Sequence, residues 1–242
     1  MKNYLNYAKN IFSQNGEDGI LEELFKDLNI TNGTVVEFGA WDGVYLSNTF
    51  NLLKNKTNYK GILIEGDKHK YNDLVEISKI YPNIVPVHCF VEWQKESKNC
   101  LDNILKNYLK QDERVNLISI DIDSLDYYIA ESIEVFLPDI FIIETNSSYD
   151  INTENKGPEG CSLKSLDILM KSKNYNLVAY TGNGIYVKNE LINESLDINE
   201  CFIQNEKIED LQKINNLGIK TNSLYYLTLE YLESVFNVKE KK

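Results

Sequence analysis

The segment GTVVEFGAWDG (33–43) decides the fold. A short run rich in β-branched residues predicts a strand over 33–40, and it stops at a glycine. Helical apolar spacing follows in YLSNTFNLLKN (45–55). A strand, a glycine turn and a helix in that order form the opening half of a βαβ unit.

Working outward, the same alternation recurs in both directions. Upstream, EDGILEELFKDL (17–28) carries apolar residues at Ile20, Leu21, Leu24, Phe25 and Leu28, which predicts a helix. Downstream, KGILIEGD (60–67) predicts a strand and KYNDLVEISKIY (70–81) a helix. NIVPVHCFV (83–91) predicts a strand interrupted by Pro86, and KNCLDNILKNYLK (98–110) a helix. VNLISIDI (115–122), DSLDYYIAESIEVF (123–136), PDIFIIET (138–145) and SLKSLDILMKSKN (162–174) continue as strand, helix, strand, helix. YNLVAYTGNGIYVKN (175–189) predicts two strands around a TGNG turn.

Strands alternating with helices specify a parallel sheet with crossover helices, closed here by an antiparallel hairpin. Short, nearly continuous apolar strands fit a sheet covered on both faces. No linker composition divides the 242 residues and no internal repeat is present, which predicts one domain. Within it, 1–30 is a helical lead, 31–190 the core sheet and 191–242 a C-terminal appendage. KTNSLYYLTLEYLESVF (220–236) has helical apolar spacing and is expected as a purely structural cover, with a cover over an acceptor site or a homodimer contact as the alternatives.

The hydrophobic content of 43% suffices for a large core, and no apolar run approaches the ~20 residues of a membrane span. The polar, aromatic start MKNYLNYAKN lacks the apolar centre of a signal peptide, so a cytoplasmic protein is expected. The net charge is −12 and Arg114 is the only arginine, which argues against nucleic acid as a partner. The cysteines at 89, 100, 161 and 201 match no zinc spacing, so a bound metal would take oxygen ligands.

In open sheets of this kind ligands sit at the carboxyl ends of the strands. After the first strand come Glu37, Gly39 and Gly43, whose spacing is not the G-x-G-x-x-G dinucleotide fingerprint. After the second, IEGD offers Glu65 and Asp67, and an acid at that separation from a glycine turn suits a ribose diol. After the third, Cys89, Phe90 and Val91 offer apolar side chains for one side of an adenine, or simply core. After the fourth stands DIDSLD (121–126), and after the fifth ETNSS, with Glu144 and Asn146. Oxygens from Asp121, Asp123, Glu144 and Asn146 would suit a divalent cation such as Mg²⁺ or Mn²⁺. The competing reading is a helix start, with Asp123 or Ser124 as cap and Asp126 in the favourable first turn. Both remain open at this point. His69 and His88, the only histidines, are read as ordinary surface or core residues before catalytic ones.

FSQNGEDGIL, VVEFGAWDGVYLSN, ILIEGD, ISIDIDSLDYYI and PDIFIIETN, taken in order, resemble the FkbM-like class I methyltransferases that use S-adenosylmethionine, many of which act on sugars. The resemblance runs over about residues 11–190. It implies a Rossmann-like class I methyltransferase fold: a seven-stranded, mostly parallel sheet with an antiparallel last strand and helices on both faces. It implies that Glu37, Gly39 and Gly43 border the methionine part of the cofactor, that Glu65 holds its ribose, and that Gln14 contacts its amino-acid end. Phe90 and Asp121 complete the expected cofactor contacts. The wider family often carries DVEG after the fourth strand, where this chain has DIDSLD. That departure favours a divalent metal and leaves the base to be chosen between Asp126 and its neighbour Asp123.

The function expected is an O-methyltransferase acting on a hydroxyl of a sugar or nucleotide-activated sugar, divalent-metal assisted, in surface polysaccharide synthesis. An NAD-dependent oxidoreductase and a non-catalytic binding module are the alternatives.

Overall fold

The first strand, β1 (Gly33–Phe38), lies third from one border of a seven-stranded sheet, and the chain reverses its direction of growth beside it. The computed structural model describes residues 2–54, 58–122, 124–157, 159–192 and 194–198. The other strands are β2 (Tyr59–Glu65), β3 (Ile84–His88), β4 (Val115–Ile120), β5 (Ile140–Glu144), β6 (Tyr175–Tyr180) and β7 (Asn183–Lys188). Their order across the sheet is β3-β2-β1-β4-β5-β7-β6. β1, β2, β3, β4 and β5 pair in parallel, and β7 runs antiparallel between β5 and β6. This is the Rossmann-like class I methyltransferase architecture expected from the sequence. The switch point falls between β1 and β4, where the order stops extending through β2 and resumes on the other side.

Helices cover both faces. On one, α1 (Glu17–Asp27), α2 (Phe50–Lys54) and α3 (Lys68–Ile80) pack against the odd-numbered residues of β2. Phe25 meets the Tyr59 ring at 5.6 Å between centroids. A Cβ at Gly61 would lie 2.6 Å from Leu53, so α2 rests directly on β2 backbone. On the other face, α4 (Leu101–Leu105), α5 (Asp126–Ser132) and α6 (Leu163–Ser172) share one core with Val36, Phe38, Ile62, Ile64, Ile118 and Ile120. Period-two alternation along β1 thus sends Val36 and Phe38 to one face and Val35 and Glu37 to the other.

Pro86 sits in β3, the border strand of the sheet. The Cys89 amide donates to Glu65 O, so odd positions face β2 and Pro86 has its missing N–H on the open side. That is why a proline is tolerated inside a strand here.

Several helices start later or end sooner than their apolar spacing predicts. The helix expected over 45–55 begins at Phe50, because Ser47, Asn48 and Thr49 turn back to Glu37. The helix expected over 123–136 covers Asp126–Ser132. Its far end is drawn out by Asp102, whose carboxylate accepts from the amides of Glu134, Val135 and Phe136. The lead adds a short 3-10 turn, Tyr4–Tyr7. No helix among the described residues is long and apolar enough to cross a membrane. Most of the appendage, including the helix expected over 220–236, lies outside the described residues.

Candidate functional site

The loop leaving β1 is built from left-handed backbone. Gly39, Trp41, Gly43 and Leu46 have φ of +73°, +51°, +82° and +55°. For Trp41 and Leu46 that conformation costs on the order of 1 kcal/mol each, so the surroundings must enforce it. Gly39 is required for a second reason: a Cβ there would stand 1.8 Å from Asp121 O, where the exits of β1 and β4 cross. Gly43 lets the loop lie on α3, since a Cβ at that position would fall 2.6 Å from Leu74 Cδ1.

Two carboxylates enforce the loop. Glu37 is buried beneath it. Its Oε2 accepts from Ser47 Oγ (2.6 Å) and Thr49 Oγ1 (2.7 Å), and its Oε1 from Asn48 N (2.7 Å). Asn48 Nδ2 in turn donates to Ser119 Oγ of β4 at 3.0 Å. Burial pushes the Glu37 carboxyl up to about 7 against those hydrogen bonds, and the charge of Asp121 adds to the rise. Glu65, at the tip of β2, accepts from Trp41 N through Oε2 (2.8 Å) and from Asp67 N through Oε1 (2.7 Å). Glu65 is therefore fastened to the glycine loop, next to the switch point. Asp67 caps α3 by accepting from the amides of His69 and Lys70.

Beyond Glu65 the chain turns at Gly66 under an aromatic ring. A Cβ at Gly66 would be 2.4 Å from Phe90 Cδ1, yet Phe90 itself is 73% exposed. The two border a cavity of about 610 Å³ that also takes in Asp67, His88, Glu92 and Asn99. His88 is engaged by its neighbours: its ring stacks on Tyr71 at 4.8 Å and its Nε2 meets Gly66 O at 3.0 Å.

A second cavity, of about 230 Å³, opens past β5 and is lined by Asp126, Glu144, Thr145, Asn146, Glu159 and Gly160. Asp126 reaches back from the first turn of α5. Its Oδ1 accepts from Ile122 N (2.9 Å) and its Oδ2 from Ser124 N (3.0 Å). It thereby holds Ile122 and Ser124 to the start of α5, and no side chain of the residue before α5 caps the helix. Burial pushes the Asp126 carboxyl up to about 6, opposed by the backbone hydrogen bonds and assisted by the charge of Asp121.

The oxygen-ligand set expected for a divalent cation is described only in part, because Asp123 is not among the described residues. Among the described residues no group of three or more His, Cys, Asp or Glu side chains could hold a metal ion. Asn146 is engaged in its own loop: Nδ2 donates to Glu159 O, and Oδ1 accepts from Ser148 N and Oγ. Asp121 and Glu144 follow Ile120 and Ile143, which pair between the neighbouring strands β4 and β5, so the two acids stand at adjacent strand tips. Asp123, expected both as ligand and as catalytic partner, lies outside the described residues.

Gln14 is exposed in the lead loop, with its carbonyl accepting from Asn10 Nδ2. The buried contacts of that loop are made by its neighbours Glu17 and Asp18. Asp18 Oδ2 accepts from the amides of Ile11, Phe12 and Ser13 at 2.7–2.8 Å. Those two acids, and the Ser47-Asn48-Thr49 run around Glu37, are the residues that sequence reasoning missed.

The chain matches no protein-family model and no curated protein. Solved structures resemble it in outline. A SAM-dependent methyltransferase from Aquifex aeolicus is 13% identical with a TM-score of 0.44, over 69% of this chain and 87% of its own. TrmK of M. capricolum, in complex with S-adenosyl-homocysteine, is 14% identical with a TM-score of 0.46, over 86% and 92%. The CurJ carbon methyltransferase is 9% identical with a TM-score of 0.49, over 76% of this chain and 56% of its own. Strand order and pairing carry the fold assignment, independently of these likenesses.

Proposed function

We propose that the chain is an S-adenosylmethionine-dependent O-methyltransferase of FkbM-like type, acting on a hydroxyl of a sugar or nucleotide-activated sugar. The observation that carries this reading is the placement of Glu65. Its carboxylate is joined to the glycine loop at the switch point of a class I methyltransferase sheet.

The residues fit the cofactor. A carboxylate offers about four acceptor sites, and Glu65 uses one backbone N–H on each oxygen, which leaves capacity for two ribose hydroxyls. Phe90 presents an exposed ring beside a cavity large enough for a purine. Gly39 and Gly43 keep side chains out of the bend, where the methionine part would pass. Glu37 acts from below, holding the loop's shape.

When bound, S-adenosylmethionine supplies a methyl carbon activated by a positively charged sulfur. The chain then has to place an acceptor hydroxyl in line and remove its proton. The cavity beyond β5 is the acceptor site in this reading. Asp126 is the proton acceptor: it lines that cavity, and with its carboxyl near 6 it is mostly ionised at neutral pH. Asp121, between the loop and Asp126, keeps the crevice negative, which favours a sulfonium over its neutral product.

Calorimetric titration with S-adenosylhomocysteine and, separately, with NADH tests the cofactor. Saturable binding of the former is expected, and saturable binding of NADH alone would replace this reading with an oxidoreductase. A panel of nucleotide-activated sugars, followed by mass spectrometry for a gain of one methyl group, tests the acceptor.

A further inference from the structure

Glu17, a fully buried carboxylate in the lead, has no part in the chemistry proposed so far. Its Oε1 accepts from Thr181 Oγ1 (2.7 Å) and Asn183 Nδ2 (3.1 Å), both in the β6–β7 hairpin, and its Oε2 from Asn15 N (2.8 Å). That hairpin turn lies at the carboxyl end of the sheet, because β6 runs in the same sense as β5. Glu17 therefore joins the lead loop, residues 10–16, to a turn 164 residues further along the chain.

The other end of the loop is also fixed. Phe12 packs edge-on against Phe50, the first residue of α2, with centroids 4.8 Å apart. In between, the Asp18 carboxylate gathers the amides of Ile11, Phe12 and Ser13, which stiffens the loop. One anchor follows the glycine loop of β1; the other is the hairpin at the far border of the sheet.

The hairpin turn passes the constraint onward. Gly182 O accepts from both the amide (3.2 Å) and the hydroxyl (2.9 Å) of Thr145. Thr145 lines the cavity beyond β5. Asn15 leans over the same turn, with its Nδ2 3.7 Å from where a Cβ of Gly182 would be.

We propose that Glu17 is a positioning residue: it fixes the β6–β7 turn and, through Gly182 and Thr145, sets the wall of the cavity beyond β5, the acceptor side of the methyl-transfer site. This deepens the methyltransferase reading and rests on it. A carboxylate this deeply desolvated is an expensive way to join two loops if apolar packing would serve. Its acceptors are all directed at loop and turn donors, and none at another helix.

The test uses Glu17→Gln, which keeps an oxygen for Thr181 and Asn183 but sets an NH₂ group against the Asn15 amide. KM for the acceptor is measured well below each variant's melting midpoint, so that only folded protein is read, with the first nucleotide-activated sugar that the panel shows to be methylated; S-adenosylhomocysteine affinity by calorimetry is the control. A several-fold rise in acceptor KM is expected with that affinity unchanged, because Thr145 lines the cavity beyond β5 and not the one beside Phe90. Thr181→Val provides the milder variant, with a smaller rise expected, and Thr181→Ser restores the hydroxyl and should restore KM. A purely structural role predicts lowered melting midpoints with unchanged KM, and that outcome overturns the proposal. Should Glu17→Gln fail to fold, equal KM values in the two Thr181 variants and the wild type overturn it as well. If the wild type binds no S-adenosylhomocysteine, the methyltransferase reading falls and takes this inference with it.

Discussion

The Trp41 amide donates to the Glu65 carboxylate at 2.8 Å, so the glycine loop of β1 and the tip of β2 form a single unit. Glu65 accepts a second amide, from Asp67, on its other oxygen. Glutamine at this position would retain one acceptor oxygen and turn an NH₂ group toward an amide donor. Glu65→Gln is expected to weaken S-adenosylhomocysteine binding by about tenfold or more, as for a hydrogen bond to a charged group. Unchanged affinity by calorimetry would remove Glu65 from the ribose site.

Glu37 makes stability depend on pH. Its folded-state carboxyl, raised to about 7, lies above the ordinary value of 4.5. Below the ordinary value both folded and unfolded forms are protonated. Between 4.5 and 7 the unfolded chain releases its proton first, so stability falls as pH rises through that window. This part of the slope is absent in Glu37→Gln, which can keep its oxygen toward Asn48 N and donate to the hydroxyls of Ser47 and Thr49. By linkage the wild type should lose up to about 3 kcal/mol relative to the variant across the window. Melting curves of both proteins from pH 4.5 to 8 measure it; parallel curves would contradict the assignment.

With Asp126 as the proposed base, turnover depends on its being ionised. The rate should rise with pH along a limb centred near 6, the value to which burial pushes this carboxyl. Asp126→Asn should lower kcat by roughly 10²–10⁴-fold, the usual contribution of a general base, and flatten that limb. Binding of S-adenosylhomocysteine should change little, because Asp126 lines the other cavity. A variant with wild-type kcat would hand the role to another group.

Gly39 and Gly182 offer a matched pair. Both have positive φ, +73° and +101°, but a methyl group meets Asp121 O at 1.8 Å in the first and nothing nearer than 3.7 Å in the second. Gly182→Ala should cost about 1 kcal/mol, the penalty of left-handed backbone alone. Gly39→Ala should cost roughly 3 kcal/mol or more, because the exits of two strands must separate. Chemical denaturation of the two variants gives the comparison, and equal losses would refute the contact.

Much of the sheet was legible because its strands are short apolar runs bounded by glycine or acid, a pattern that tertiary packing reinforces. Glu65 was legible for a similar reason: the strand tip and the glycine loop are each recognisable locally, and parallel pairing of β1 with β2 brings them together. The start of α2 was not legible. Ser47, Asn48 and Thr49 have the local look of a helical turn, and only the buried Glu37 ten or more residues earlier draws them out of it. The acids of DIDSLD looked like one cluster because sequence proximity hides direction. Asp126, expected as the base, folds back onto amides of its own turn, a direction that spacing along the chain does not reveal. Glu17 and Asp18 escaped notice because two acids in a helix's first turn are ordinarily explained by the helix dipole. Nothing local reveals that both are buried.

Pro86 has a consequence for how the molecule behaves in a crowd. The flank of β3 is where an extended segment from another chain would dock by backbone pairing, and its middle rung has no hydrogen to give. Sheet-on-sheet growth and amyloid-like recruitment are thereby discouraged at that flank, in a chain whose interior strands would otherwise template them well.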